Sequence, residues 1–143
     1  LSLFYPVNKD VTGLSLVWLG VNSATGDVKG VELGLGNLVE GSMYGGQVGL
    51  DNYTGKRFVG LQYGMANIAK GNFTGAQWGL VNYSEGSLKG FQGGFVNYAA
   101  QMHGFQLGFV NYAKSLDGLQ IGLGNYNGNK KPMEFMVLAN WSF

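Results

Sequence analysis

An all-β fold is what this 143-residue sequence predicts: an antiparallel meander of about nine or ten short strands, closed into a small barrel of the outer-membrane type. Three observations lead there. Glycine supplies 26 residues while charged residues make up only 12% of the chain. Asparagine returns at a nearly constant period along almost the whole length. Between asparagines, bulky apolar residues alternate with small or polar ones, the period of two that marks a β-strand.

Composition removes most other classes. Low charge with 14% aromatic residues does not describe a disordered chain. Two prolines and no strict glycine triplet exclude collagen. A net charge of +1 gives no electrostatic case for nucleic acid. With no cysteine and one histidine, thiol chemistry, disulfides and zinc sites have nothing to build on. No catalytic residue, metal site or cofactor is expected, and no apolar run is long enough for a transmembrane helix. A start at Leu1 without Met is compatible with a removed signal peptide and equally with a trimmed chain.

The repeat dominates the sequence. Asparagines stand at 22, 37, 52, 67, 82, 97, 111, 125 and 140. Seven positions before most of them lies a glycine, from Gly30 to Gly118, and a second glycine row runs from Gly34 to Gly122. Between the two rows sit Gln47, Gln62, Gln77, Gln92, Gln106 and Gln120, with Glu32 in the equivalent place. The units span 13–27, 28–42, 43–57, 58–72, 73–87, 88–101, 102–115 and 116–131, followed by a closing strand over 133–143. They form one domain over 1–143.

Within a unit, alternation puts Phe91, Phe95 and Asn97 on one face and Gln92, Gly94 and Tyr98 on the other. The connections carry Glu40-Gly41, Gly55, Lys70-Gly71 and Glu85-Gly86, a signature suited to tight hairpins. Folding at Glu85-Gly86 sets Leu80 opposite Phe91 and Gln77 opposite Gly94, so a large side chain meets a glycine across the ladder. The rival arrangement is a parallel β-solenoid with one 15-residue repeat per coil, stacking asparagines and glutamines into ladders. The small coil and the few polar residues left for its bends favour the meander.

Charge decides the surroundings of the barrel reading. Nearly all charged residues fall in the connections; Glu32 and Asp51 are the carboxylates well inside strands. A water-exposed sheet face would carry charge, so the bulky face is expected to meet a lipid bilayer through Trp78, Phe91, Phe95, Phe105 and Phe109. The lumen would hold Glu32, Gln47, Asp51, Gln62, Gln77, Gln92, Gln106 and Gln120. The hairpin register makes Glu32 and Asp51 diagonal neighbours, a pair that would bind a cation or share a proton. Alternation up to Trp141 and Phe143 matches the closing strand that outer-membrane barrels present for insertion.

The units "GLQIGLGNY", "GFQLGFVNYA" and "GAQWGLVNYSEG", with the opening "LSLFYPV" and the ending "MEFMVLANWSF", resemble the bacterial surface-repeat family of tandem GLQxGxxN proteins. Unit one departs from the pattern, with Ser15 for the first glycine and Leu19 for the second. The resemblance implies an exported protein of the outer membrane or cell surface and no established activity. Three roles follow from the sequence. The first is a non-enzymatic barrel, structural or accessory to other envelope subunits. The second is a secreted β-solenoid or self-assembling surface fibre, and the third a narrow pore for small polar solutes.

Overall fold

The computed structural model describes residues 7–131 and 133–143; residues 1–6, with most of the opening motif and of the strand considered over 1–7, lie outside them. The strands are β1 (Val7–Asn8), β2 (Val11–Leu16), β3 (Val21–Ala24), β4 (Val28–Leu33), β5 (Gly36–Val39), β6 (Met43–Val48), β7 (Asp51–Thr54), β8 (Phe58–Tyr63), β9 (Ala66–Ala69), β10 (Phe73–Asn127) and β11 (Phe135–Ser142). β2, β4, β6 and β8 stack in parallel as one sheet and β1, β3, β5, β7 and β9 as another; both sheets continue into β10. β10 is an extended run of 55 residues that keeps winding.

This is a parallel β-solenoid and not the antiparallel barrel that alternation predicts. Gly60 pairs with Gly45 and Gly75, Gln62 with Gln47 and Gln77, and Asn67 with Asn52 and Asn82. Each residue lies beside its own counterpart one repeat away. β11 pairs antiparallel with residues 118–126 of the last coil, and among the described residues no strand joins it to the first coil to close a barrel.

Two physical facts select the stack over the hairpins. The first glycine row, Gly30 to Gly118, adopts φ between 133° and 145°, a region that L side chains rarely occupy. A Cβ at Gly60 would also collide with the carbonyl oxygen of Gly45 in the coil below. The row therefore demands glycine on glycine, which the hairpin register, setting glycine against glutamine, does not supply. The second fact is parity. Gln62 and Asn67 are five residues apart and would face opposite sides of one straight strand. Residues 64 and 65 form a corner between β8 and β9, so both side chains turn inward and are fully buried. The X-Gly pairs read as hairpin turns form the second corner of each coil.

Around one coil, Phe58, Gln62, Asn67 and Ala69 point inward. Up the axis these positions become an apolar row (Val28, Met43, Phe58, Phe73, Leu88, Met102, Leu116), a glutamine row, an asparagine row and a small row from Ala24 to Ala113. Phe58 and Phe73 stack with ring centroids 4.6 Å apart. In the first coil Val11 pairs with Val28, a longer step than elsewhere, because the corner at 17–20 is enlarged and tucks Val17 inside. Gly13 and not Ser15 therefore occupies the first glycine row, and Ser15 lies beside Glu32.

The two kinds of glycine should respond in opposite ways to a methyl group. Gly75→Ala meets the Gly60 backbone at a positive φ and should cost about 3 kcal/mol or more. A Cβ at Gly46 finds only ordinary contacts at 3.8 Å, so Gly46→Ala should stay within about 1 kcal/mol of the parent. Thermal melts of the two variants compare them directly.

Candidate functional site

The polar row expected to line a lumen forms the inside of the coil. Gln62 Nε2 donates to Gln47 Oε1 at 2.8 Å, and the bond repeats through Gln77, Gln92, Gln106 and Gln120 at 2.7–2.8 Å. The second N–H of several glutamines reaches a backbone carbonyl six residues on, as from Gln92 to Tyr98 at 3.0 Å. The asparagines, whose places at strand ends suit bonds to turn backbone, instead make a ladder of their own at 2.7–2.8 Å from Asn22 to Asn125. Their remaining N–H groups bond carbonyls of the next coil, such as Asn82 to Gly93 at 2.8 Å. Buried amides are tolerated because, along the ladders, amide nitrogens donate and amide oxygens accept, Gln120 Oε1 at the end apart.

The ladders have opposite polarity. Glutamine N–H groups point toward the first coil, asparagine N–H groups toward the last. Each ladder ends on a different chemistry. Ser15 Oγ donates to Asn22 Oδ1 at 2.6 Å, filling the last acceptor of the asparagine row. Gln47 Nε2 donates to Glu32 Oε2 at 3.2 Å, so an acceptor-only group closes the donor end of the glutamine row. At the far end Gln120 Oε1 has no partner among the described residues, and Asn140 of β11 lies beside Gln120 in register.

Glu32 is buried at 1% exposure, whereas Asp51 is exposed and pairs in register with Gly36 and Ala66. The fold does not bring the two carboxylates together as the hairpin register does. His103, for which the sequence offers no partner, lies 3.3 Å from Asp117 on the exposed surface. Among the described residues no group of three or more acidic, histidine or cysteine side chains could hold a metal, and no helix is long and apolar enough to cross a membrane.

The outside carries the apolar residues that the core does not take. Trp78, Phe95 and Phe109 are about half exposed, and Phe91 and Phe105 are partly covered by stacking on Trp78 and on each other at 5.5–5.6 Å. A ridge of Leu35, Leu50, Met65, Leu80, Phe95, Phe109 and Leu123 follows one corner of the coil along the axis. Beside it the second glycine row forms the floor of a groove whose other wall includes Tyr63, Trp78, Leu107 and Ile121. Leu138 of β11 borders its end. The opposite corner is charged: Glu40, Lys56, Lys70, Glu85 and Lys114 are exposed, and Lys70 pairs with Glu85 at 2.6 Å between coils.

No family model, curated protein or solved structure matches the chain. Function has to be argued from the surface itself. Sequence reasoning picked out the exposed aromatics and overlooked the ridge. Its signal was present: an apolar residue two positions before Asn and a glycine three before it, in unit after unit. Trp141 and Phe143 are exposed, with Trp141 at the end of the strand that covers the last coil. Lys130 holds that strand, its Nζ donating to the Trp141 carbonyl at 2.9 Å and lying 4.3 Å from the indole centre.

Glu32 makes the ladder sensitive to pH. Burial pushes its carboxyl above the ordinary value of 4.5, opposed by the smaller pull of the Gln47 hydrogen bond. Below the ordinary value the group is neutral in folded and unfolded chains alike. The stability held there is lost as pH rises through the raised folded value. Glu32→Gln keeps the acceptor for Gln47 and removes the charge. It should stabilise the fold by about 1–2 kcal/mol at pH 7 and by little at pH 4. Urea denaturation of parent and variant at both pH values tests this; an equal gain at both would show that the charge is not the cause.

Proposed function

We propose that the chain is a non-enzymatic, exported β-solenoid of the cell surface that self-associates side by side. The observation that carries this reading is the apolar ridge and groove running the length of a rod whose charge sits on the opposite corner. A free-standing protein rarely exposes so large a continuous apolar strip. The inside offers nothing comparable. Its amides are bonded to one another and its apolar rows are closed, so a pore for polar solutes has no channel to use.

Export is supported by the resemblance of the repeat unit to bacterial surface proteins. The strand β11 lies antiparallel across the last coil and bends there, with Leu138 at φ 71° where the register shifts. It occupies the edge that a further coil would need. Growth at that end is therefore disfavoured, and side-by-side association is the mode the surface supports.

Sedimentation over a concentration series, with electron microscopy of the same samples, tests the proposal. Concentration-dependent association is expected. A chain that stays monomeric throughout and shows no ordered assembly would overturn it.

A further inference from the structure

We infer that the partner on the apolar face is a second copy of this chain, bound in the same direction with its coils level, about a two-fold axis parallel to the solenoid. This deepens the self-association reading above and rests on it. The argument is one of shape. A ridge stands immediately beside a groove of matching length, and both repeat at the strand spacing, about 4.8 Å. Rotation about an axis parallel to the rod, placed midway between ridge and groove, puts each ridge over the other copy's glycine floor. A perpendicular axis would set ridge on ridge. The parallel axis therefore gives an isologous contact in which both copies use the same surface.

The floor makes the fit possible. Gly94 and Gly108 leave the backbone open to an incoming side chain, between Trp78 and Leu107 on one wall and Phe95 and Phe109 on the other. Phe95 and Phe109 stack at 4.5 Å, so the ridge is already ordered before it docks. A large apolar side chain exposes roughly 200 Å² when free, and those of the ridge and facing wall are about half exposed. The strip therefore offers on the order of 1,000 Å² per copy, against about 800 Å² per partner in a stable complex. Lys70 and Lys114 stand at the far corner, so no basic fringe borders the strip as a membrane-surface site would favour.

The chain has no cysteine, so single introduced cysteines report geometry without interference. Leu35→Cys and Leu123→Cys lie at opposite ends of the ridge. In the proposed arrangement each stands within disulfide reach of its own counterpart, so each variant alone should form a linked dimer under mild oxidation. Lys70→Cys on the charged corner should not. If only Leu80→Cys, midway along the ridge, links to itself, the copies run in opposite directions and the proposal falls. If the parent associates but none of the ridge cysteines link, this interface falls while self-association stands. A monomeric parent that floats with phosphatidylcholine vesicles would assign the face to lipid and overturn both. Phe95→Asp, with its fold checked by circular dichroism, should weaken association about 100-fold; unchanged association would also overturn the interface.

Discussion

Each coil of this chain lies one strand spacing above the last, and in register, so every side chain meets a copy of itself or its repeat equivalent. That constraint governs the rest of the structure. A position works only if its residue tolerates its own neighbour at about 4.8 Å. Like charges fail the test inside a strand, and they are absent from the inner rows apart from Glu32. Amides pass it, because one coil's donor meets the next coil's acceptor. Flat rings pass it by stacking, as the outer row Tyr83, Tyr98, Tyr112 and Tyr126 does at 4.6–5.2 Å. Glycine passes it where the backbone itself comes too close for a Cβ.

The same rule explains why the ends differ from the middle. A ladder has an unpaired donor at one end and an unpaired acceptor at the other, and a repeat cannot supply the missing partner. The first coil therefore departs from the pattern: Ser15 and Glu32 replace amides where an acceptor must be filled or a donor received. Because the glutamine and asparagine ladders run in opposite senses, their aligned dipoles oppose each other, and no large net dipole builds up along the rod. Only Glu32 then remains as a buried charge, sited where two amide hydrogens of Gln47 are directed toward Glu32 and the Tyr53 carbonyl.

Much of this was legible in the residues. The all-β class, the 15-residue period and the mutual bonding of the glutamines follow from spacing and composition alone. Strand direction does not. Glutamine against glycine across a hairpin is good packing, and glutamine on glutamine in a stack is good packing too, so the row of Gln47 to Gln120 fits either arrangement. The deciding features were a positive φ at Gly60 and its neighbours and a corner at 64–65. A glycine in sequence does not state its φ, and period two read straight through Gly64 sends Asn67 to the wrong side. The placement of Glu32 beside Asp51 was a consequence of the hairpin register and disappeared with it.

The unusual partition of the chain, with two amide rows inside beside one large apolar row while other leucines and phenylalanines stay outside, follows from the narrowness of the coil. A coil whose interior admits Phe58, Gln62, Asn67 and Ala69 has no room for Leu61, Tyr63 and Met65 as well. A larger fold would bury them against another layer. Among the described residues no second layer covers them. The repeat that builds the core also builds, row by row, an apolar surface whose ridge and groove share its period.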